Sequence, residues 1–149
     1  MPLVLNDVNV EQHIIPGTGR ILAGRRVYPL MQDATYQTNS LTFATIPINS
    51  IIPTIASIGG GLASLTAYYV VRTAGTSGGI SYEIALRNDT DTTEVTGSTM
   101  ANSGNTEVIN ITPSVITLTP EKAYRISARR VSGGGFVTIL GAYLVLIGA

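Results

Sequence analysis

Residues 80–88 read ISYEIALRN. Ile80, Tyr82, Ile84 and Leu86 recur at every second position, with Ser81, Glu83 and Arg87 between them. That alternation predicts a strand with one face on a core and one toward water. Residues 123–130, AYRISARR, repeat the pattern: Tyr124, Ile126 and Ala128 share one face, Arg125, Ser127 and Arg129 the other. Residues 62–73, LASLTAYYVVRT, set Ala63, Leu65, Ala67, Tyr69 and Val71 on the more apolar face. LTFATIPI (41–48) changes phase between Phe43 and Ile46, which predicts a bulge or bend. EVINI (107–111) and SVITL (114–118) are shorter runs.

Turn chemistry separates these runs: GTSGG at 75–79, NDTDTT at 88–93, ANSGN at 101–105, TPEK at 119–122 and SGGG at 132–135. No stretch shows an amphipathic helical period with caps. Short strands punctuated at this spacing predict an all-β, antiparallel, jelly-roll-like sandwich.

Residues 1–40 differ. They carry Pro2, Pro16 and Pro29 with Gly17, Gly19 and Gly24, and no sustained period. They also hold Ile14, Ile15, Ile21, Val27, Tyr28 and Leu30, too apolar for a solvated disordered tail. Two readings stand. One is an extended N-terminal arm lying on another surface, able to span about 130 Å when stretched, ahead of a domain over 41–149. The other makes these residues the first strands of the same domain. On the arm reading, Ile14, Ile15, Arg20, Ile21, Arg25, Arg26 and Tyr28 are the contact residues.

The last segment, VSGGGFVTILGAYLVLIGA (131–149), is apolar on both faces. Under strict alternation one face holds Phe136, Leu140, Ala142, Leu144 and Leu146. The other holds Val137, Ile139, Tyr143, Val145 and Ile147. The 14 residues from Phe136 are too few for a spanning helix, which needs about 20, and they include Gly141 and Gly148, so no membrane anchor is expected. A second apolar face needs cover, from the first forty residues or from another subunit. Val137, Ile139, Tyr143, Val145 and Ile147 are the expected oligomer interface.

The chain has 149 residues, a formal net charge of +0, 12% charged residues and no cysteine. Neutrality argues against a nucleic-acid footprint, and the lack of cysteine excludes disulfides and thiolate metal sites. The start, MPLVLNDVNVEQ, lacks the basic and long apolar regions of a signal peptide, which predicts synthesis in a cytoplasm. The single histidine, His13, lies in the presumed arm, and no serine sits in a nucleophile elbow, so no enzyme and no cofactor are expected. PGTGR (16–20) lacks the Lys-Ser/Thr ending and context of a phosphate loop. Asp89, Asp91 and Glu94 could offer oxygen ligands to Ca²⁺, but their spacing is not that of an EF-hand, and no metal is expected. Tyr68 is the best exposed aromatic for a glycan, between Thr66 and Val70.

The run ITLTPEKAYRISARRVSGGGFVTILGAYLVLI (116–147) resembles the last two strands of trimeric virion jelly rolls, among them the decoration or cement proteins of tailed-phage heads. The features carried are Ile116-Thr-Leu-Thr119, Tyr124-Arg125-Ile126, the turn at Gly133–Gly135 and the apolar terminal strand. The resemblance implies a homotrimer on a capsid surface, with the major capsid protein or neighbouring virion subunits as partners and an arm tying capsomers together. The competing expectations are a capsid-shell or filament subunit, which self-assembles alone, and a carbohydrate- or receptor-binding tip.

Overall fold

The computed structural model describes residues 12–15, 20–23, 26–31, 35–46, 50–51, 65–112 and 114–148. Along the chain run β1 (Gln12–Ile15), β2 (Arg20–Ala23), β3 (Arg26–Pro29), β4 (Tyr36–Thr38), β5 (Ala44–Thr45), β6 (Ser50–Ile51) and β7 (Leu65–Gly75). Then follow β8 (Ser81–Asn88), β9 (Thr93–Glu94), β10 (Met100–Ser103), β11 (Val108–Ile111), β12 (Ile116–Leu118), β13 (Ala123–Ser132) and β14 (Val137–Gly148). Among the described residues no helix is long and apolar enough to cross a membrane.

The pairing is nested. β3 and β4 lie on β14, β5 and β6 on β13, β11 and β12 on β7, and β10 on β8, all antiparallel. The chain is thus one long hairpin rolled up, with successive rungs falling alternately into two sheets. One sheet has the order β10-β8-β13-β5 and the other β11-β7-β14-β3. This is a jelly-roll β-sandwich, as the alternation of the longer strands predicts.

Core-facing positions follow the sequence pattern where the strands are long. Leu65, Ala67, Tyr69 and Val71 of β7, Tyr82, Ile84 and Leu86 of β8, and Tyr124, Ile126 and Ala128 of β13 are all buried. Ala63 lies outside the described residues. The phase change expected between Phe43 and Ile46 leaves only Ala44 and Thr45 on β13, with Ile46 buried and its N–H donating to Ile126 O at 2.9 Å.

Buried tyrosines keep their hydroxyls satisfied, as burial of a polar group requires. Tyr69 donates to the Ser98 carbonyl and lies 3.3 Å from Ile84 O. Tyr82 and Thr73 share a hydrogen bond of 3.1 Å. Tyr124 donates to Thr119 O at 3.1 Å and accepts the Thr119 N–H at 2.9 Å, closing the turn between β12 and β13. Burial pushes all three phenols above their ordinary value of 10.0.

Within residues 1–40, the described segments from residue 26 onward pair with the sandwich. β3 pairs with β14 from Pro29↔Tyr143 to Arg26↔Leu146, and β4 pairs with it from Thr38↔Val137 to Tyr36↔Ile139. Leu30 is wholly buried in the core, and Tyr28, Met31 and Tyr36 pack against it. A domain cut at residue 41 would lose two strands from one sheet. Of the three prolines named in this stretch, Pro29 is described, and it ends an edge strand, where a proline costs little. Before this region, β1 and β2 form a separate antiparallel hairpin with Ile14↔Ile21 and Ile15↔Arg20 in register.

Candidate interaction surface

The two outward faces of the sandwich are chemically unlike. On the sheet containing β8 and β13, the polar positions carry charge that cancels within the chain. Arg129 Nη2 lies 2.6 Å from Glu83 Oε2, and its guanidinium stacks 4.8 Å from the Phe43 ring centroid. Arg87 Nη1 reaches Glu94 Oε1 at 3.0 Å. Asp89 sits between Arg87 at 3.8 Å and Arg125 at 3.1 Å. The Arg125 contact is a charge attraction, its Nε being misaligned for a hydrogen bond. Lys122 Nζ meets Asp91 at 3.0 Å, and that hydrogen bond holds the Asp91 carboxyl below its ordinary value. Ion pairs this close to water add little to stability, so the pairs do more to neutralise this face than to stabilise it.

The same pairs use up the acidic turn. Asp89, Asp91 and Glu94, the carboxylates weighed as Ca²⁺ ligands, each hold a Lys or Arg. Among the described residues no group of three or more metal-binding side chains occurs. At the adjoining end of the sandwich a cleft of about 470 Å³ is lined by threonines (93, 96, 117, 119) with Asn88 and Glu94.

The outward face of the other sheet is apolar, and a register shift in β14 makes it so. Ile139 pairs with Thr73 but Gly141 pairs with Arg72, leaving Leu140 as an extra residue. Such a bulge moves the side chains that follow to the opposite face, as far as a second shift at Ile147. Before Leu140, Val137 and Ile139 point into the core and are fully buried. After it, Ala142, Leu144 and Leu146 take over the core positions. The five-residue interface expected from strict alternation is therefore split. Val137 and Ile139 are core residues and leave it. Tyr143 remains on the outer face and is 50% exposed. Val145 is on the same face but buried, and Ile147 is half-buried.

The expected arm contacts are dispersed as well. Ile14 and Ile15 lie on β1, Arg20 and Ile21 on β2, and Arg26 and Tyr28 on β3; Arg25 lies outside the described residues. Tyr28 packs on the sandwich's own core.

Cross-strand register identifies what surrounds Tyr143. It pairs with Val70, Val145 pairs with Tyr68 and Val27, Arg72 with Ile109, and Val70 with Ile111. Directly paired residues share a face. Val27, Ile109 and Ile111 are all exposed, the last two by 67% and 58%. Tyr68, the aromatic singled out from the sequence, is half-buried here. Val70, Arg72, Ile109, Leu140, Gly141 and Tyr143 line an open cavity of about 340 Å³. Arg72 and Glu107, 3.4 Å apart and half exposed, supply the charged border.

Ile109 and Ile111 carry a signal that sequence reasoning passes over. The alternation of VINI leaves open which face meets the core, and pairing with β7 decides it. Val108 and the polar Asn110 face in, opposite Thr73 and Val71, and the isoleucines face out.

No protein-family model and no curated protein matches the chain. Solved structures do. The chain is 15% identical to the VP2 chain in a subviral particle of infectious bursal disease virus, over 99% of its own length and 38% of that chain, with a TM-score of 0.50. It is 10% identical to the CBM36-1 domain of a xylanase from the hindgut metagenome of Trinervitermes trinervoides, over 85% of this chain and 98% of that one, with a TM-score of 0.48. The Eiger TNF structure from S. frugiperda matches at 10% identity over 85% and 92% of the two chains, with a TM-score of 0.44. The chain thus spans little more than a third of the VP2 chain's length. At this identity the likeness is one of fold: the protein has a jelly-roll sandwich, as the strand pairing also establishes.

Proposed function

We propose that the protein is a non-enzymatic structural component of a virion, acting as a homotrimer that decorates and stabilises a capsid. The observation that carries the proposal is the contrast between its outer faces: one charged and internally neutralised, the other apolar and open. A face bearing Val27, Val70, Ile109, Ile111 and Tyr143 resembles half of a protein contact more than a solvated surface. The likeness to VP2, a protein that forms subviral particles, adds support at the level of fold. The partners on this reading are further copies of the chain and the major capsid protein or neighbouring virion subunits.

Magnitudes limit what this face achieves alone. Val27, Ile109, Ile111 and Tyr143 are each roughly half exposed, so covering them is worth about 1 kcal/mol apiece, or about 8 kcal/mol for two meeting faces. Association costs about 4–15 kcal/mol in lost freedom. The apolar face therefore supports association of modest strength and needs further contacts for a stable assembly.

The test is native mass measurement of the full chain with Tyr143→Lys and Val70→Lys variants, followed by electron microscopy. Discrete trimers that fall apart in the variants support the reading. A wild-type chain that stays monomeric at every concentration overturns it. Closed shells formed by the purified protein would favour a shell subunit over a decoration protein.

A further inference from the structure

We infer that β11 is a second, separate contact: it pairs edge to edge with β11 of another copy about a twofold axis centred on Asn110. Three observations converge on this strand. First, among the described residues β11 is the last strand in its sheet and pairs only with β7. Natural edge strands are guarded by shortness, lysine, proline or a bulge; Val108–Ile111 is short but carries none of the other guards.

Second, the backbone polarity is fixed by its partner. The Thr112 N–H donates to Tyr69 O at 3.1 Å, which continues the β11–β7 register. In an antiparallel ladder alternate residues point their N–H and C=O to the same side. Val108 and Asn110 therefore bond toward β7, and Ile109 and Ile111 direct both backbone groups to the open edge. This edge complements itself. With Asn110 facing its own copy, Ile109 of each chain meets Ile111 of the other, and each pair exchanges two hydrogen bonds.

Third, the Asn110 side chain is incomplete as it stands. Its Nδ2 is buried and has no partner. An unpaired buried donor is disfavoured, and a polar residue facing inward on this strand is otherwise unexplained. Across the proposed axis the two Asn110 residues form a non-hydrogen-bonded pair, the arrangement that brings side chains closest. Each amide can then donate to the other's Oδ1. The flanking isoleucines of both copies extend the apolar face across the junction. The contact is isologous and does not depend on the face being the trimer interface; together the two would link trimers to one another.

The chain contains no cysteine, so a single introduced thiol reports directly. A non-hydrogen-bonded antiparallel pair has its Cα atoms about 4.5 Å apart, inside the disulfide range of about 4.4–6.8 Å. Asn110→Cys in the full chain is expected to form a disulfide-linked dimer under mild oxidation. Glu121→Cys, in the exposed turn between β12 and β13, is expected to stay unlinked. Adding Ile109→Lys and Ile111→Lys to Asn110→Cys should abolish the cross-link. Asn110→Cys in a Tyr143→Lys background should keep it, which separates this contact from the apolar face. In the wild-type protein, amide exchange at Ile109 and Ile111 should slow about tenfold or more from dilute to concentrated solution. An unlinked Asn110→Cys, or exchange at these two amides that ignores concentration, overturns the inference.

Discussion

Replacing Ile139 and Tyr143 separately tests the bulge in β14. Strict alternation puts both side chains on one face, so it expects similar consequences. The structure puts Ile139 wholly in the core and leaves Tyr143 half exposed beyond the extra residue Leu140. Ile139→Ala removes buried carbons and leaves a cavity among side chains that relax only partly. Such changes cost about 2–5 kcal/mol, and about 3 kcal/mol is a central expectation. For a domain of this size each kcal/mol lowers the melting temperature by about 2–4 °C, which gives a fall of about 6–12 °C. Tyr143→Ala alters a surface position and should shift the monomer by about 0.5 kcal/mol or less. Thermal unfolding followed by circular dichroism is the assay. It is run at concentrations where native mass shows only monomer, because lost self-association would otherwise add to the Tyr143 effect. Equal melting shifts for the two variants would falsify the phase switch. Deleting Leu140 supplies the complement: it removes the extra residue, keeps both halves of the strand facing as they do now, and should be tolerated far better than deleting Ala142.

Three further expectations concern the frame that holds these faces. Tyr69→Phe leaves the Ser98 carbonyl without its buried donor and should cost about 1–3 kcal/mol in denaturant unfolding, with the fold retained. Gly75→Ala should be strongly destabilising, since a Cβ there would collide with the Ile80 side chain and the Gly104 carbonyl, whereas Gly141→Ala meets open space and should be near neutral. The phenols of Tyr69, Tyr82 and Tyr124 are held above 10.0 by burial. Their neutral forms favour the fold, so this stabilisation is complete below pH 10.0 and declines as pH rises past it, when unfolded chains shed protons that the fold retains. Stepped-pH denaturation should show that loss, and Tyr69→Phe should make it shallower; a stability that stays flat above pH 10 contradicts the burial of these hydroxyls.

Much of the sandwich was legible in residue order because period-2 alternation has a local cause. β8 and β13 were readable from Tyr82, Ile84 and Leu86 and from Tyr124, Ile126 and Ala128, since each strand meets water on one face and core on the other. The same logic located the unusual surface: a terminal strand apolar on both faces implies a face that water does not suit, and Tyr143 is on it. The short strands were less legible. β3, β4, β5 and β6 run two to four residues each, too few to display a period. For that reason Tyr28 and Leu30 looked like parts of an arm.

Residue order alone specifies the class: an all-β, charge-poor chain with more apolar strand surface than one core absorbs. Three things were decided only by tertiary structure. The bulge at Leu140 reassigned Val137 and Ile139 to the core, because the register of β14 depends on β7, a partner some seventy residues away. The register of β11 on β7 turned Ile109 and Ile111 outward and Asn110 inward, a choice of face that its own alternation leaves open. The charges of Asp89, Asp91 and Glu94 were claimed by Arg87, Lys122 and Arg125, the last two of which lie beyond three intervening strands in sequence. In each case the deciding force is a non-local contact, and a local pattern carries no information about which distant strand will supply it.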